Sequence, residues 1–384
     1  MTPRPVRALH VLWGGKEQGG VETWVRALMR LGRRESVERD VLFHGTGPCD
    51  YEPELRSLGA RVHRCSGALR SWGYSDSVRK VLQNEGPYDA IHCHLHYFSG
   101  VVLRIAKKAG IPIRIAHSHM NLAAVANQTG LLKRLYRRYV ARGVSRHATH
   151  GLAVSRNAAV DLFGTEWESD PRWGLIAPGI DFTPFRSRVM RAELRTELGV
   201  PVNALTVGHV GVFTAEKNHL HLLASTAAAV RANPRVHLLL FGDGALRPQI
   251  QAAIAAAGID RHVTLLGYRR DIERMLLGAV DVFVFPSTSE GFGQVVLQAQ
   301  AAGLRCVVSD GVPTEVDVVP DAVRRLPLSA GPERWAQAIL ATAALPPLDQ
   351  SASLRVLERS PFSIEQNLAL LEDIYRGRAF KLSL

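Results

Sequence analysis

Cysteine is scarce and scattered in this 384-residue chain: Cys49, Cys65, Cys93 and Cys306 share no short spacing. That excludes a disulfide scaffold and a thiolate metal site, and it fits a reducing, cytoplasmic compartment. No stretch of eighteen apolar residues occurs, so no membrane-spanning helix is expected. No leader is expected either, because Met1–Pro5 runs straight into the strand-like Val6–Leu12. Gly-x-Gly-x-x-Gly is missing, which removes the dinucleotide fingerprint. Residues 101–150 hold no acidic residue at all, against ten basic ones. Internal repeats and low-complexity tracts are also lacking.

What is present is a basic first half. The net charge is +12, and residues 1–175 carry 26 Lys and Arg against 15 Asp and Glu, while the remainder carries 21 against 20. Such asymmetry implies a polyanion facing one domain: an anionic membrane leaflet, a lipid pyrophosphate or a nucleic acid. Nucleic acid is not expected, because the basic stretch lacks interleaved aromatic residues on which bases could stack. Within it, Leu131, Leu132, Leu135, Tyr136, Tyr139 and Val140 recur at helical spacing, with Lys133, Arg134, Arg137, Arg138 and Arg142 on the other face. That is either a helix lying on an anionic membrane or an ordinary helix with a solvated charged face.

With 46% hydrophobic residues the chain is too long for one compact core and suits two. Apolar runs alternate with amphipathic patterns, the rhythm of parallel βαβ units. Strands are predicted at 6–12, 40–44, 60–63, 89–93, 112–116 and 150–154, then at 205–212, 236–241, 262–265, 281–285 and 304–308. The fold class is therefore α/β, with two Rossmann-like domains. Pro178, Gly179 and Pro184 mark a boundary near 176–184. Domains are expected at 1–176 and 184–361, followed by a segment, 362–384, with helical period from Ser363 to Tyr375.

The stretch Asp281–Asp310, DVFVFPSTSEGFGQVVLQAQAAGLRCVVSD, is the most informative. A buried strand breaks at Pro286 into a loop with Glu290, Gly291 and Gly293, then a helix. A carboxylate and bare amides past the end of a strand make a ligand site in open α/β sheets. Earlier, Gly14-Gly15-Lys16-Glu17-Gln18-Gly19-Gly20-Val21-Glu22 links a strand to a helix; it fits anion binding at the helix terminus or simply a tight turn. His92, His94 and His96 would share one face of an extended strand; they are read as hydrogen-bonded rather than metal-binding, because no carboxylate or cysteine partner accompanies them. Arg114-Ile115-Ala116-His117-Ser118-His119-Met120 follows another strand, and its polar flanks argue against a mere core histidine. Val207–His219 reads as strand, glycine turn and helix start, with Lys217 able to reach a diphosphate as a point charge.

In this order the motifs resemble glycosyltransferase family 4, the retaining enzymes of GT-B fold, in the branch that builds exopolysaccharide and capsule. The resemblance spans nearly the whole chain, from the GGVE loop to the last helix. It implies two facing Rossmann-like domains with a C-terminal helix crossing back to the first. It further implies a UDP- or GDP-sugar donor, no metal or other cofactor, and a saccharide or polyprenyl-diphosphate-linked acceptor at the inner face of the cell membrane. His117, Lys217 and Glu290 would carry the chemistry. Donor contacts would come from Gly19, Gly20, Gly211, Lys217, Gly242, Arg270 in the Gly267–Asp271 base loop, Glu290, Gly291, Phe292, Gly293 and Gln298. His117 would lie against the donor sugar and departing phosphate, Lys217 on the diphosphate, Glu290 on the sugar hydroxyls, and Gln298 on the ribose. The chain departs from the family twice. Gln298 replaces the second glutamate of the glutamate-x7-glutamate signature, and Val212 replaces an arginine after Gly211. Two further readings therefore stay open: a catalytically degenerate sugar-nucleotide-binding partner, and a nucleotide-sugar epimerase.

Overall fold

The computed structural model describes residues 4–14, 20–45, 47, 49–66, 72–120 and 141–378. The loop residue Gly19 and the amphipathic stretch 131–140 lie outside the described residues. The chain forms two compact units, one of residues 1–180 and 361–384, the other of Asp181–Ser360.

The first unit holds a seven-stranded parallel sheet. Its strands are β1 (Val6–Trp13), β2 (Val37–His44), β3 (Val62–Cys65), β4 (Ala90–Cys93), β5 (Ile113–Ser118), β6 (His150–Ala153) and β7 (Trp173–Leu175), in the order β3-β2-β1-β4-β5-β6-β7. The second unit holds a six-stranded parallel sheet of β8 (Leu205–Val210), β9 (Val236–Phe241), β10 (Val263–Gly267), β11 (Val282–Phe285), β12 (Arg305–Ser309) and β13 (Val323–Leu326), in the order β10-β9-β8-β11-β12-β13. Helices cover both faces of a parallel sheet, so its central strands read as unbroken apolar runs. Both Val-Phe-Val-Phe of β11 and Val-His-Leu-Leu-Leu-Phe of β9 are buried throughout. In each sheet the strand order reverses beside the first strand, between β1 and β4 and between β8 and β11. The crevice at such a switch point, past the carboxyl ends of the strands, is where open α/β sheets bind ligands.

Two local expectations are corrected by the backbone. Strand β5 does not stop at 116 but pairs with β6 through Ser118, His117 lying opposite Leu152. His117 is therefore inside a strand rather than past its end. Strand β4 stops at Cys93, and His96 sits at φ +52° in a 3-10 turn, His96–Phe98, so the three histidines share no strand face. His96 faces Asp161 at 3.1 Å instead.

The last helix, Ile364–Tyr375, belongs to the first unit. Ser363 caps it, accepting from the Gln366 amide at 3.3 Å. Its Ile364, Leu371, Ile374 and Tyr375 form one buried stripe in the core that also holds Trp24 and Leu28 of the helix Gly20–Leu31. Each such aliphatic side chain contributes about 1.5–3 kcal/mol on burial. Asn367 ties the stripe down, accepting from Trp24 Nε1 at 2.7 Å and donating to the Ala177 carbonyl at 2.8 Å.

Candidate functional site

At the switch point of the second sheet two loops are stitched together. After β8 the chain turns through Ala215–Lys217, and Asn218 adopts a left-handed conformation at φ +54°. Asn218 Nδ2 donates to the Pro286 carbonyl at 3.2 Å, and the Thr288 amide donates to Glu216 at 2.8 Å. These bonds place Lys217 beside the loop that follows β11. Its Nζ stands 2.6 Å from Glu290 Oε1, and the two side chains are only 22% and 11% exposed. The ammonium also lies 4.9 Å from the centre of the Phe285 ring. Two residues 73 positions apart, singled out separately in the sequence, thus form one ion pair.

Glycines let the backbone close around this pair. Gly242 sits at φ +142°, and a Cβ there would fall 2.0 Å from the Gly211 carbonyl oxygen. The Gly242 amide donates to Gly267 at 2.8 Å, which anchors the Gly267–Asp271 loop, and Arg270 in that loop is exposed. Gly293, at φ +94°, opens the helix Gln294–Ala301 without a side-chain cap, so the positive end of the helix dipole points toward this loop. Phe292 is buried under this turn, whereas Gly291 is half-buried. Gln298, one turn into the helix, is half-buried, and its side chain has no hydrogen-bond partner among the described residues. Val212 is 38% exposed, an apolar surface where the family resemblance places an arginine.

Sequence reasoning missed His209. It is fully buried in β8, its Nδ1 donating to the Val284 carbonyl at 2.9 Å, while Nε2 has no partner among the described residues. Burial, then the neighbouring His219, holds its pKa well below the usual range. Its ring lies beside Gly211 and Lys217, since a Cβ on Gly211 would meet His209 Nε2 and the Lys217 stem at 3.2 Å.

The first unit builds a different centre at its own switch point. His10 of β1 pairs in register with His92 of β4, and His94, His117 and His119 extend the group. Trp24 packs its ring edge against His92, His94 and His117, with centroids 5.2–6.1 Å apart. His117 is fully buried, with Nδ1 at 3.1 Å from His92 Nε2 and Nε2 at 3.3 Å from the Ile176 carbonyl oxygen. It presents no free ring nitrogen in this structure. Burial above all holds the pKa of His92, His94 and His117 well below 6.5 and lowers His10 and His119 to about 3. Two trios, His10 with His92 and His94, and His94 with His117 and His119, keep one nitrogen each within 4.8 Å of one another, a spacing open to a metal ion. Within each trio one pair of rings is hydrogen-bonded directly, His10 with His94 and His94 with His119. Gly20 begins the helix that carries Trp24 and is exposed.

Two doubly wound parallel sheets, the second with a cation, a carboxylate and glycine turns at its switch point, define the GT-B class. Residues 190–353 match the family of glycosyl transferases group 1, and residues 19–172 match the glycosyl transferase 4-like domain. The chain is 32% identical over 380 residues to EpsF of Bacillus subtilis (strain 168), a protein assigned as a glycosyltransferase, covering 98% of this chain and 97% of that one. It is 28% identical over 243 residues to an Escherichia coli UDP-Gal:alpha-D-GlcNAc-diphosphoundecaprenol alpha-1,3-galactosyltransferase, covering 61% of this chain and 60% of that one. Among solved structures, Anabaena HepE in complex with UDP and glucose superposes with a TM-score of 0.77 at 20% identity, over 97% of this chain and all of that one. The chain belongs to the GT4-type glycosyltransferases of GT-B fold.

Proposed function

We propose that this glycosyltransferase moves a sugar, with retention of anomeric configuration, from a nucleotide-diphosphate sugar to a saccharide or polyprenyl-diphosphate-linked saccharide, in exopolysaccharide, capsule or related glycan assembly. The observation that carries this reading is the Lys217–Glu290 pair at the switch point of the second sheet, beside the uncapped helix at Gly293. A diphosphate drawn to that helix terminus and to Lys217 leaves Glu290 free to accept from donor-sugar hydroxyls. Gln298 faces the ribose, and the Gly267–Asp271 loop faces the base through backbone groups. Departure of the nucleoside diphosphate is assisted electrostatically by Lys217. No metal is assigned to the reaction, so chelation is expected to leave the rate unchanged. The names of the relatives support a UDP-sugar donor and a lipid-linked acceptor, since HepE was solved with UDP and glucose and the E. coli relative acts on a diphosphoundecaprenol.

Among the described residues no helix is long and apolar enough to cross a membrane. We assign the basic first unit to an anionic membrane surface at which such an acceptor resides. Arg79, Arg104 and Lys108 line a groove between the helices Trp72–Asn84 and Ser99–Lys108. Binding to phosphatidylglycerol vesicles should weaken steeply with salt; indifference to salt would remove this assignment.

The reaction is tested by the anomeric proton coupling of the product, read by NMR. The donor's own anomeric configuration is expected, and an inverted product would overturn the mechanism. Val212 and Gln298 favour a second reading, a binding partner without turnover, which predicts donor binding and no acceptor-dependent release of nucleoside diphosphate.

A further inference from the structure

The histidine centre of the first unit is not a random cluster but a single file of hydrogen bonds with a fixed direction. At its inner end the Ile176 carbonyl can only accept, so His117 Nε2, 3.3 Å away, carries a proton. His117 Nδ1 is then bare and accepts from His92 Nε2 at 3.1 Å. His92 Nδ1 accepts in turn from the Tyr375 hydroxyl at 2.8 Å. The Tyr375 oxygen, its proton spent, accepts from His10 Nε2 at 3.3 Å. His10 Nδ1 accepts from His94 Nε2 at 3.1 Å, and His94 Nδ1 accepts from His119 Nε2 at 2.8 Å. Every link is satisfied with one proton per ring. The five imidazoles are thus all neutral and all protonated on Nε2, a pattern dictated by one backbone carbonyl.

The file ends at His119. This ring is half-buried, lies just past the carboxyl end of β5, and its Nδ1 has no partner among the described residues. We propose that His119 is the ligand-contacting imidazole of the first unit, held by Tyr375 and the file behind it as an obligate hydrogen-bond acceptor. Its ligand is a hydroxyl group of a saccharide, not a phosphate oxygen, because a bare nitrogen repels an anion. Four further imidazoles in line, the buried Arg39 guanidinium near His10 and Tyr375, and His96 near His119 oppose any added proton. The depressed pKa values of all five rings agree with this. Tyr375 is a positioning residue: it touches no ligand but joins the two halves of the file. Trp24 leaves the file undisturbed, since its Nε1 is spent on Asn367.

The saccharide ligand rests on the proposed function; the tautomer pattern does not. The test is long-range proton–nitrogen NMR on the full chain labelled with 15N-histidine, at pH 7. Five rings with protonated Nε2 and bare Nδ1 are expected, and a protonated His119 Nδ1 overturns the proposal. In Tyr375→Phe the His10, His94 and His119 signals should collapse toward averaged tautomers, because the acceptor that orders them is gone, while His117 stays fixed by Ile176. An unchanged His119 in that variant removes the positioning role. Should Tyr375→Phe fail to fold, titration of the wild-type chain with inorganic pyrophosphate decides: His119 Nδ1 is expected to stay bare, and conversion to an imidazolium contradicts an acceptor site. If the tautomers hold while no sugar transfer is found, the fault lies with the proposed function instead.

Discussion

Replacing Lys217 with Met keeps the aliphatic stem over Phe285 and removes the ammonium. In the free protein this strands the Glu290 carboxylate, which is 11% exposed and otherwise meets Nζ at 2.6 Å. A hydrogen bond to a charged group is worth about 1.5–3 kcal/mol, and a partner left alone in a buried place also loses its solvation. The expected destabilisation is about 2 kcal/mol, which for a unit of this size lowers the melting temperature by roughly 4–8 °C. Donor binding loses the same ammonium, and about 2 kcal/mol corresponds to a roughly thirtyfold rise in Kd. The two effects separate on adding Glu290→Gln. The stranded charge disappears and the melting temperature recovers, but affinity does not, because the diphosphate still lacks its cation. Scanning calorimetry and titration with UDP-glucose, on both single variants and the double variant, measure each part. The reasoning fails if Lys217→Met changes neither quantity, or if Glu290→Gln in the same chain restores affinity.

Gln298→Glu should tighten donor binding about fivefold, since charge assistance to the ribose hydroxyls adds about 1 kcal/mol; unchanged titration would move the ribose elsewhere. Gly242→Ala places a Cβ 2.0 Å from the Gly211 oxygen at φ +142° and should cost at least about 2 kcal/mol in thermal unfolding, with wild-type stability as the contrary result. The first unit should be acid-sensitive. His10, His92, His94 and His117 are neutral when folded, with pKa values held far below 6.5 by burial, whereas the unfolded chain takes up protons at 6.5. Their stabilisation is complete above that pH and fades as pH falls below it. Each ring loses about 1 kcal/mol between pH 6.5 and 5.5, so the four together lose about 4 kcal/mol. Denaturant unfolding followed by Trp24 fluorescence checks the slope, and a flat profile would contradict neutral burial.

The two sheets were legible because strands buried on both faces cannot hide their apolar runs. Strands β7 and β13 were not. Trp-Gly-Leu is three residues long, and Val-Arg-Arg-Leu of β13 places two arginines on an edge, which breaks the run. The glycine turns after β8, β9 and β11 were readable from glycine itself, since such positive φ angles and close approaches admit little else. What one chain segment cannot show is partnership across a sheet. Lys217 and Glu290 were each read as donor contacts, and only the adjacency of β8 and β11 reveals that they meet each other. The histidine file depends likewise on the register of β1 with β4, which brings His10 opposite His92, and on a tyrosine 365 positions from His10. Alternating His92 and His94 with a later His117 and His119 was the visible signal. The role given to His117 came from ending β5 two residues early, and the shared face of His92, His94 and His96 needed an extended chain past Cys93 that the structure does not have.

The central claim is transfer of a sugar from a nucleotide donor, and it is tested most directly by nucleoside diphosphate release. The chain is mixed with each of a panel of UDP- and GDP-sugars, with and without a polyprenyl-diphosphate saccharide acceptor. Release with one donor class, dependent on acceptor and not abolished by chelator, is the expected result. Absence of release with every pair, or conversion of the donor to an isomer without acceptor, would contradict it.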